Sequence, residues 1–259
     1  MNLIQSVILG VVEGITEFLP ISSTAHLIIA SQVLGIKQTE FQKFFEVFIQ
    51  SGAILAVVFI YLKYVIKNIK VIKNVIISFI PTAIVGLALH KVIKDVFFES
   101  NLLIIAAIGV IGLVFLIVEY LIKKEKIKLS RNIGRINLQT AVIIGLAQAL
   151  AVVPGVSRAG IVIIAMILMR FRRDEAATYS FLLAVPTILA ASALDLYKSA
   201  QVVQFVQNDI LYVLTGFLAS FISAYLAVGW LINFLKKNSL VPFGIYRIAL
   251  AIILLVLGL

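Results

Sequence analysis

The sequence predicts an all-α polytopic membrane protein. It is expected to be an inverted-topology repeat, each repeat a re-entrant helical hairpin plus three transmembrane helices. Three observations predict this. Hydrophobic residues fill 62% of the 259 positions, against about 45–50% in soluble domains. Apolar runs long enough to cross a bilayer, near 20 residues, recur along the chain, and no polar stretch between them could fold as a soluble domain. Two other apolar runs are broken in the same manner, and the sequence around one break resembles that around the other.

The elements follow in order. Residues 3–18 and 24–36 are apolar arms separated by "LPISST". The second arm is too short to cross, so the pair reads as a hairpin that enters and leaves on one face; irregular backbone at that depth is tolerated only where protein or a wet cavity surrounds it. Full spans are expected near 46–62, 75–93 and 102–122. A second hairpin, 138–153 and 159–170, is broken by "PGVSR". Spans near 177–197, 210–235 and 241–258 complete the chain. "GVVEGITEFLPISSTAHLII" (10–29) matches "GLAQALAVVPGVSRAGIVII" (145–164) if one residue is dropped before the proline. This sets Glu13 opposite Gln148, Pro20 opposite Pro154 and Ser23 opposite Ser157. The whole chain, 1–259, reads as one integral membrane domain, with repeat one at about 1–122 and repeat two at about 136–259. Three crossings per repeat invert the second copy, and inverted repeats with broken helices place their ligand site where the breaks meet.

Charge supplies the orientation. Lys63, Lys67, Lys70 and Lys73 fill one loop, and Lys123, Lys124, Lys126, Lys128, Arg131 and Arg135 another. Arg170, Arg172, Arg173, Lys236 and Lys237 fall on the same side of the predicted topology, while the opposite loops balance acid and base. The positive-inside rule makes the basic side cytoplasmic. That leaves both termini on the outer side, although two full crossings per hairpin would give the same parity. The net charge of +10 is thereby assigned to loops, not to nucleic acid. No cleavable signal peptide is expected, since the first apolar run carries Glu13 and Glu17 without a basic leader. The absence of cysteine excludes disulfides and thiolate chemistry.

The chemistry lies at the breaks. Glu13 and Glu17 are spaced i, i+4 and share a helical face. In a low dielectric such a pair holds a proton or a cation. It therefore suits acid–base work, a hard divalent metal such as Mg²⁺ or Ca²⁺, or a shared-proton contact that locks helix packing. Pro20 ends the first arm, and Ser22, Ser23 and Thr24 bring three hydroxyls to the start of the next, more than one N-cap needs. His26 stands one turn beyond Ser23, the minimum for an activated hydroxyl nucleophile. Arg158 opens a helix near bilayer depth and needs an anion, either Glu13/Glu17 or a phosphate. A phosphate would be bound by the guanidinium, by helix-start amides of the Ser157 region and through close approach at Gly155. Several polar residues carry weaker expectations. Glu46 and Gln50 extend the site or cap a span; Glu119 pairs with Lys123; His90 and Lys94, and Asp195 and Lys198, pair at span ends; Arg247, beside Tyr246, snorkels or meets a lipid headgroup.

The strings "GVVEGITEFLPISSTAH", "FEVFIQSGAILAVV", "PGVSRAG", "YSFLLAVPTILAASALDLYKS" and "PFGIYR" together resemble the undecaprenyl-diphosphatase (bacitracin-resistance) family, from Leu9 nearly to the end. The resemblance implies a membrane phosphatase that converts a polyprenyl diphosphate to its monophosphate, recycling the carrier lipid of cell-wall synthesis. It also implies divalent-metal dependence and a site open to the outer face of the plasma membrane. Carried over by motif, Glu13 and Glu17 are the acidic, metal-holding pair, and Ser23 and His26 the nucleophile and base. Arg158 is the phosphate ligand, with Ser157, Gly155, Ser22 and Thr24 around it. A water nucleophile with Glu17 as base is the alternative assignment. The expected partners are the polyprenyl diphosphate lipid, the bilayer and a second copy of the chain as a homodimer. The family's second motif reads P-G-x-S-R-S-x-x-T, but Ala159 and Val162 replace its second Ser and its Thr; phosphate binding that leans on backbone, a weaker activity and a changed substrate are the three expectations this leaves open. The rival functions are a lipid flippase or anion transporter using the same site, and a plain membrane scaffold.

Overall fold

The computed structural model describes residues 1–89, 92, 96, 97, 100–199 and 208–258. The described residues form ten α-helices and no strand beyond one isolated bridge, between Arg131 and Phe171. In chain order the helices are α1 (Leu3–Thr16), α2 (Ser23–Val33), α3 (Glu40–Lys67), α4 (Ile69–Ala88), α5 (Asn101–Lys123), α6 (Leu138–Ala149), α7 (Arg158–Leu168), α8 (Arg173–Ser199), α9 (Asp209–Lys237) and α10 (Val241–Leu257). A 3₁₀ turn, Leu150–Val152, extends α6. The expected pair His90/Lys94 lies outside the described residues, and for the expected pair Asp195/Lys198 the side chains lie outside what is described.

Five helices, α3, α4, α5, α8 and α9, are long and apolar enough to cross a membrane. The sixth expected span, α10, has 17 residues, about 26 Å of helix, at the lower limit for crossing. The four hairpin arms have 14, 11, 12 and 11 residues, about 16–21 Å each, too short to cross alone. The start of α3 falls earlier than its apolar run suggests. Thr39 caps it by accepting the Gln42 N–H, so a polar first turn precedes the buried part. Asn2 and Asn137 cap α1 and α6 alike, each side chain accepting the amide of the third helical residue at 2.9 Å.

Small residues set the packing. α1 lies along α9, where a Cβ on Gly10 would strike the Gly216 carbonyl and one on Gly14 the Ser220 carbonyl. α6 lies along α4, with Gly145 against the Ser78 carbonyl, and Ser78 Oγ donates to the Ala141 carbonyl at 2.7 Å. Lipid tails are as apolar as leucine, so such close backbone contacts and interhelical hydrogen bonds drive association. α3 packs on α8 and α9, and α5 on α10. The largest buried cluster, which includes Phe18, Phe115, Ile163, Phe181 and Leu231, lies behind both helix breaks.

The expected Glu119–Lys123 pair is not formed. Glu119 is buried and meets Arg173 through two hydrogen bonds of 2.7 and 2.5 Å, while also accepting the Leu240 N–H at 2.9 Å. The planar guanidinium fork suits a carboxylate bidentately, which an exposed i, i+4 lysine cannot match. Glu119 therefore ties α8 and the start of α10 to α5. Glu119→Ala leaves Arg173 and the Leu240 amide without their acceptor and is expected to cost about 3–5 kcal/mol, read as a lower thermal midpoint in detergent.

Candidate active site

α1 ends at Thr16, and Glu17 closes it with an N–H to the Glu13 carbonyl at 2.9 Å. Pro20 then turns the chain. Ser22 sits at φ +75° directly before α2. At the second break Ser157 sits at φ +71° directly before α7, and its Oγ accepts the Gly160 N–H. Ser22 and Ser157 thus share a positive φ and a place directly before a helix, and Ser23 and Arg158 are the first residues of α2 and α7. Gly155, at φ +92°, lies so close to α5 that a Cβ would meet the Ile104 carbonyl.

The two breaks converge. Arg158 Nη2 donates to Glu17 Oε1 at 3.0 Å, and Nη1 to the Ser180 carbonyl at 3.1 Å. Ser23 Oγ donates to Glu17 Oε2 at 2.5 Å. One carboxylate thus joins the guanidinium of the second break to a hydroxyl of the first. Both partners of the ion pair are nearly buried, their side chains 12% and 9% exposed. A cavity of about 170 Å³ opens beside them, bordered by Glu17, Ser22, Ser23 and Thr24 from one break, Gly155, Ser157 and Arg158 from the other, and Gln50 from α3. A single water needs about 10–15 Å³ by a comparable measure, so the space admits a polar group of several heavy atoms.

Seven of the nine residues singled out from the sequence border this cavity. Glu13 lies one turn behind, fully buried, and among the described residues neither of its carboxylate oxygens has a hydrogen-bond donor. His26 is not hydrogen-bonded to Ser23. Its Nδ1 lies 2.7 Å from the Ser22 carbonyl and its Nε2 2.6 Å from Tyr246 Oη. A carbonyl only accepts, so Nδ1 carries the hydrogen, and Nε2 pairs with the Tyr246 hydroxyl. Both nitrogens are engaged, and the group in reach of the Ser23 proton is Glu17. Ala159 and Val162 are buried and do not border the cavity, so the two hydroxyls missing from the second motif are not missing from its wall. Glu46 accepts hydrogen bonds from Ser31, Gln38 and Gln42.

The sequence reading missed Arg247. Far from snorkelling, it is 0% exposed and donates to the carbonyls of Pro20, Ala107, Ile108, Gly155 and Val156. An ionisable residue within a span was the available signal. Its place a turn inside the last span left snorkelling and a headgroup contact as the two readings.

Long apolar helices around a shielded cluster of acid, hydroxyl and guanidinium define a multi-pass membrane protein with a largely buried polar centre. The family model of the bacitracin resistance protein BacA matches residues 6–253, and the chain belongs to this family. It is 46% identical to an undecaprenyl-diphosphatase of Persephonella marina over 98% of each chain. It is also 46% identical to one of Sulfurihydrogenibium over 98% of each, and 43% identical to one of Aquifex aeolicus over 96% of each.

If the Glu17–Arg158 contact is energetic as well as geometric, a double-mutant cycle on Glu17→Ala and Arg158→Ala should return a coupling of about 1–3 kcal/mol in detergent stability. Additive losses would show that the two side chains do not interact.

Proposed function

We propose that this protein is an undecaprenyl-diphosphatase, a membrane enzyme that hydrolyses undecaprenyl diphosphate to the monophosphate and phosphate. The single observation that carries this reading at the level of the site is the meeting of Glu17, Ser23 and Arg158 at the mouth of one cavity. The family and the relatives named above support the same activity. Phosphoryl transfer asks mainly for positioning and neutralisation of oxygen charge, and these residues offer both.

In the reaction we infer, the prenyl tail stays in the bilayer and the diphosphate enters the cavity. Arg158 turns from Glu17 to the phosphate oxygens, aided by amides at the start of α7. Glu17 takes the Ser23 proton as Ser23 Oγ attacks the terminal phosphorus. The bond from that phosphorus to the bridging oxygen breaks, and undecaprenyl monophosphate leaves. Water then hydrolyses the phosphoserine to release phosphate and restore the hydroxyl. Glu17 activating water directly is the second assignment. The Ser23–Glu17 hydrogen bond favours the serine route, with Glu17 replacing His26 as the base.

A divalent cation suits the donor set. Glu13 offers two buried oxygens without donors, Glu17 stands one turn on, and Mg²⁺ is commonly held by one or two carboxylates plus substrate phosphate and water. No group of three or more acids and imidazoles is present among the described residues, so substrate oxygens would complete the shell. When bound, the ion would neutralise charge on the diphosphate.

The inverted repeat belongs to the same proposal. Asn2 and Asn137, Gly10 and Gly145, Glu13 and Gln148, and Ser22 and Ser157 stand at one constant separation. Each hairpin docks on a helix of the other half, α1 on α9 and α6 on α4. Both features support two copies related by a pseudo-two-fold axis. With re-entrant hairpins and the basic loops inside, the cavity faces the outer leaflet.

Phosphate release from a prenyl diphosphate in detergent, with and without chelator, tests the activity and the metal together. Wild-type protein should release phosphate and chelator should stop it. Glu17→Ala and Arg158→Ala should each lower turnover about 100- to 1,000-fold while remaining monodisperse. Release only as transport across sealed vesicles would point to a transporter instead. A phosphoserine trapped at Ser23 would select the covalent route.

A further inference from the structure

We propose that Arg247 is a positioning residue of the phosphatase site, a clamp that holds the two helix breaks in register. This rests on the functional reading above and adds a residue of the last helix, which borders no part of the cavity.

Arg247 sits within α10, fully buried. Its nearest polar partners are all carbonyls. Nη1 donates to Pro20 of the first break at 3.2 Å; Nη2 donates to Gly155 at 2.6 Å and to Val156 at 3.3 Å, both of the second; Nε donates to Ile108 of α5 at 3.1 Å. Pro20 and Gly155 are far apart in sequence, and one rigid guanidinium spans them. Five N–H donors in a fixed fork can do this; a lysine ammonium, a point charge, cannot. No Asp or Glu oxygen bonds to it among the described residues, so its role is not that of an ion pair.

The consequence for the site follows from peptide geometry. In a trans peptide the C=O and the following N–H point to opposite sides. Holding the Val156 carbonyl toward Arg247 turns the Ser157 N–H away from it. Ser157 borders the cavity, and no acceptor for its N–H occurs among the described residues. The same clamp fixes the Pro20 carbonyl two residues before Ser22, and so sets where Ser23 meets Glu17. Arg247 thus acts on the reaction through the two loops, without touching substrate.

The test compares wild-type protein with Arg247→Lys in detergent, by steady-state phosphate release and by amide hydrogen exchange resolved along the chain. A displacement near 1 Å of catalytic groups costs about 100-fold in rate. Arg247→Lys should therefore lose about 100-fold in kcat with little change in KM, with faster exchange at 18–22 and 154–158 and unchanged exchange in α3 and α8. An unaltered kcat, a loss in KM alone, or faster exchange spread evenly over the chain would overturn the proposal. Absence of phosphate release by wild-type protein would instead defeat the functional reading, and the exchange pattern would then judge the clamp by itself. Should Arg247→Lys fail to fold, Arg247→Gln is measured in the same way. Failure of both would assign Arg247 to folding at large and reject the positioning role.

Discussion

Inside a bilayer a peptide group that leaves its helix must find its partner in the protein, because hydrocarbon offers none. Two helix breaks within a bundle of long apolar helices set the terms for this fold. Their carbonyls are gathered by one buried guanidinium, Arg247, which also holds α5. Their strained turns, Ser22 and Ser157 at positive φ, carry a cost of about 1–3 kcal/mol each, and the packing around them has to hold that conformation. What is left at the breaks is a set of hydroxyls bordering a cavity, and that remainder is the candidate site.

Positioning of the breaks begins in the helices that carry them. α1 and α6 are short and could shift along their neighbours if packed by large flexible side chains. Glycines at 10, 14 and 145 instead bring backbone against backbone, and hydrogen bonds such as Ser78 to Ala141 fix the register. Glu17, at the end of α1, is consequently delivered to Arg158, at the start of α7.

Two buried Arg–Glu pairs show how differently the same chemistry can be used. Glu119 gives both oxygens to Arg173 and a further bond to a backbone amide. It is saturated, and it joins helices. Glu17 gives one oxygen to Arg158 and the other to Ser23, and Glu13 behind it has no donor among the described residues. A carboxylate pair so placed is ready for a proton, a cation or both. Gln148 of α6 is neutral and donates to Thr82 and Thr187.

The sequence alone determined the helical membrane class, the places of both breaks and most of the cavity wall. Apolar run length and the intrusion of Pro20, Pro154 and charged residues into such runs are local signals, and a bilayer makes them nearly unambiguous. It also brought Arg158 and Glu17 into one hypothesis, since an embedded cation demands an anion. Which partner each polar group takes was decided by tertiary structure. His26 stands one turn from Ser23, yet spends its nitrogens on Ser22 and Tyr246; Glu119 passes over Lys123 for Arg173; Arg247 turns inward to carbonyls of three distant segments. Hydrogen-bond partnership depends on direction and distance in space, and residues close in the chain compete there with residues hundreds of positions away.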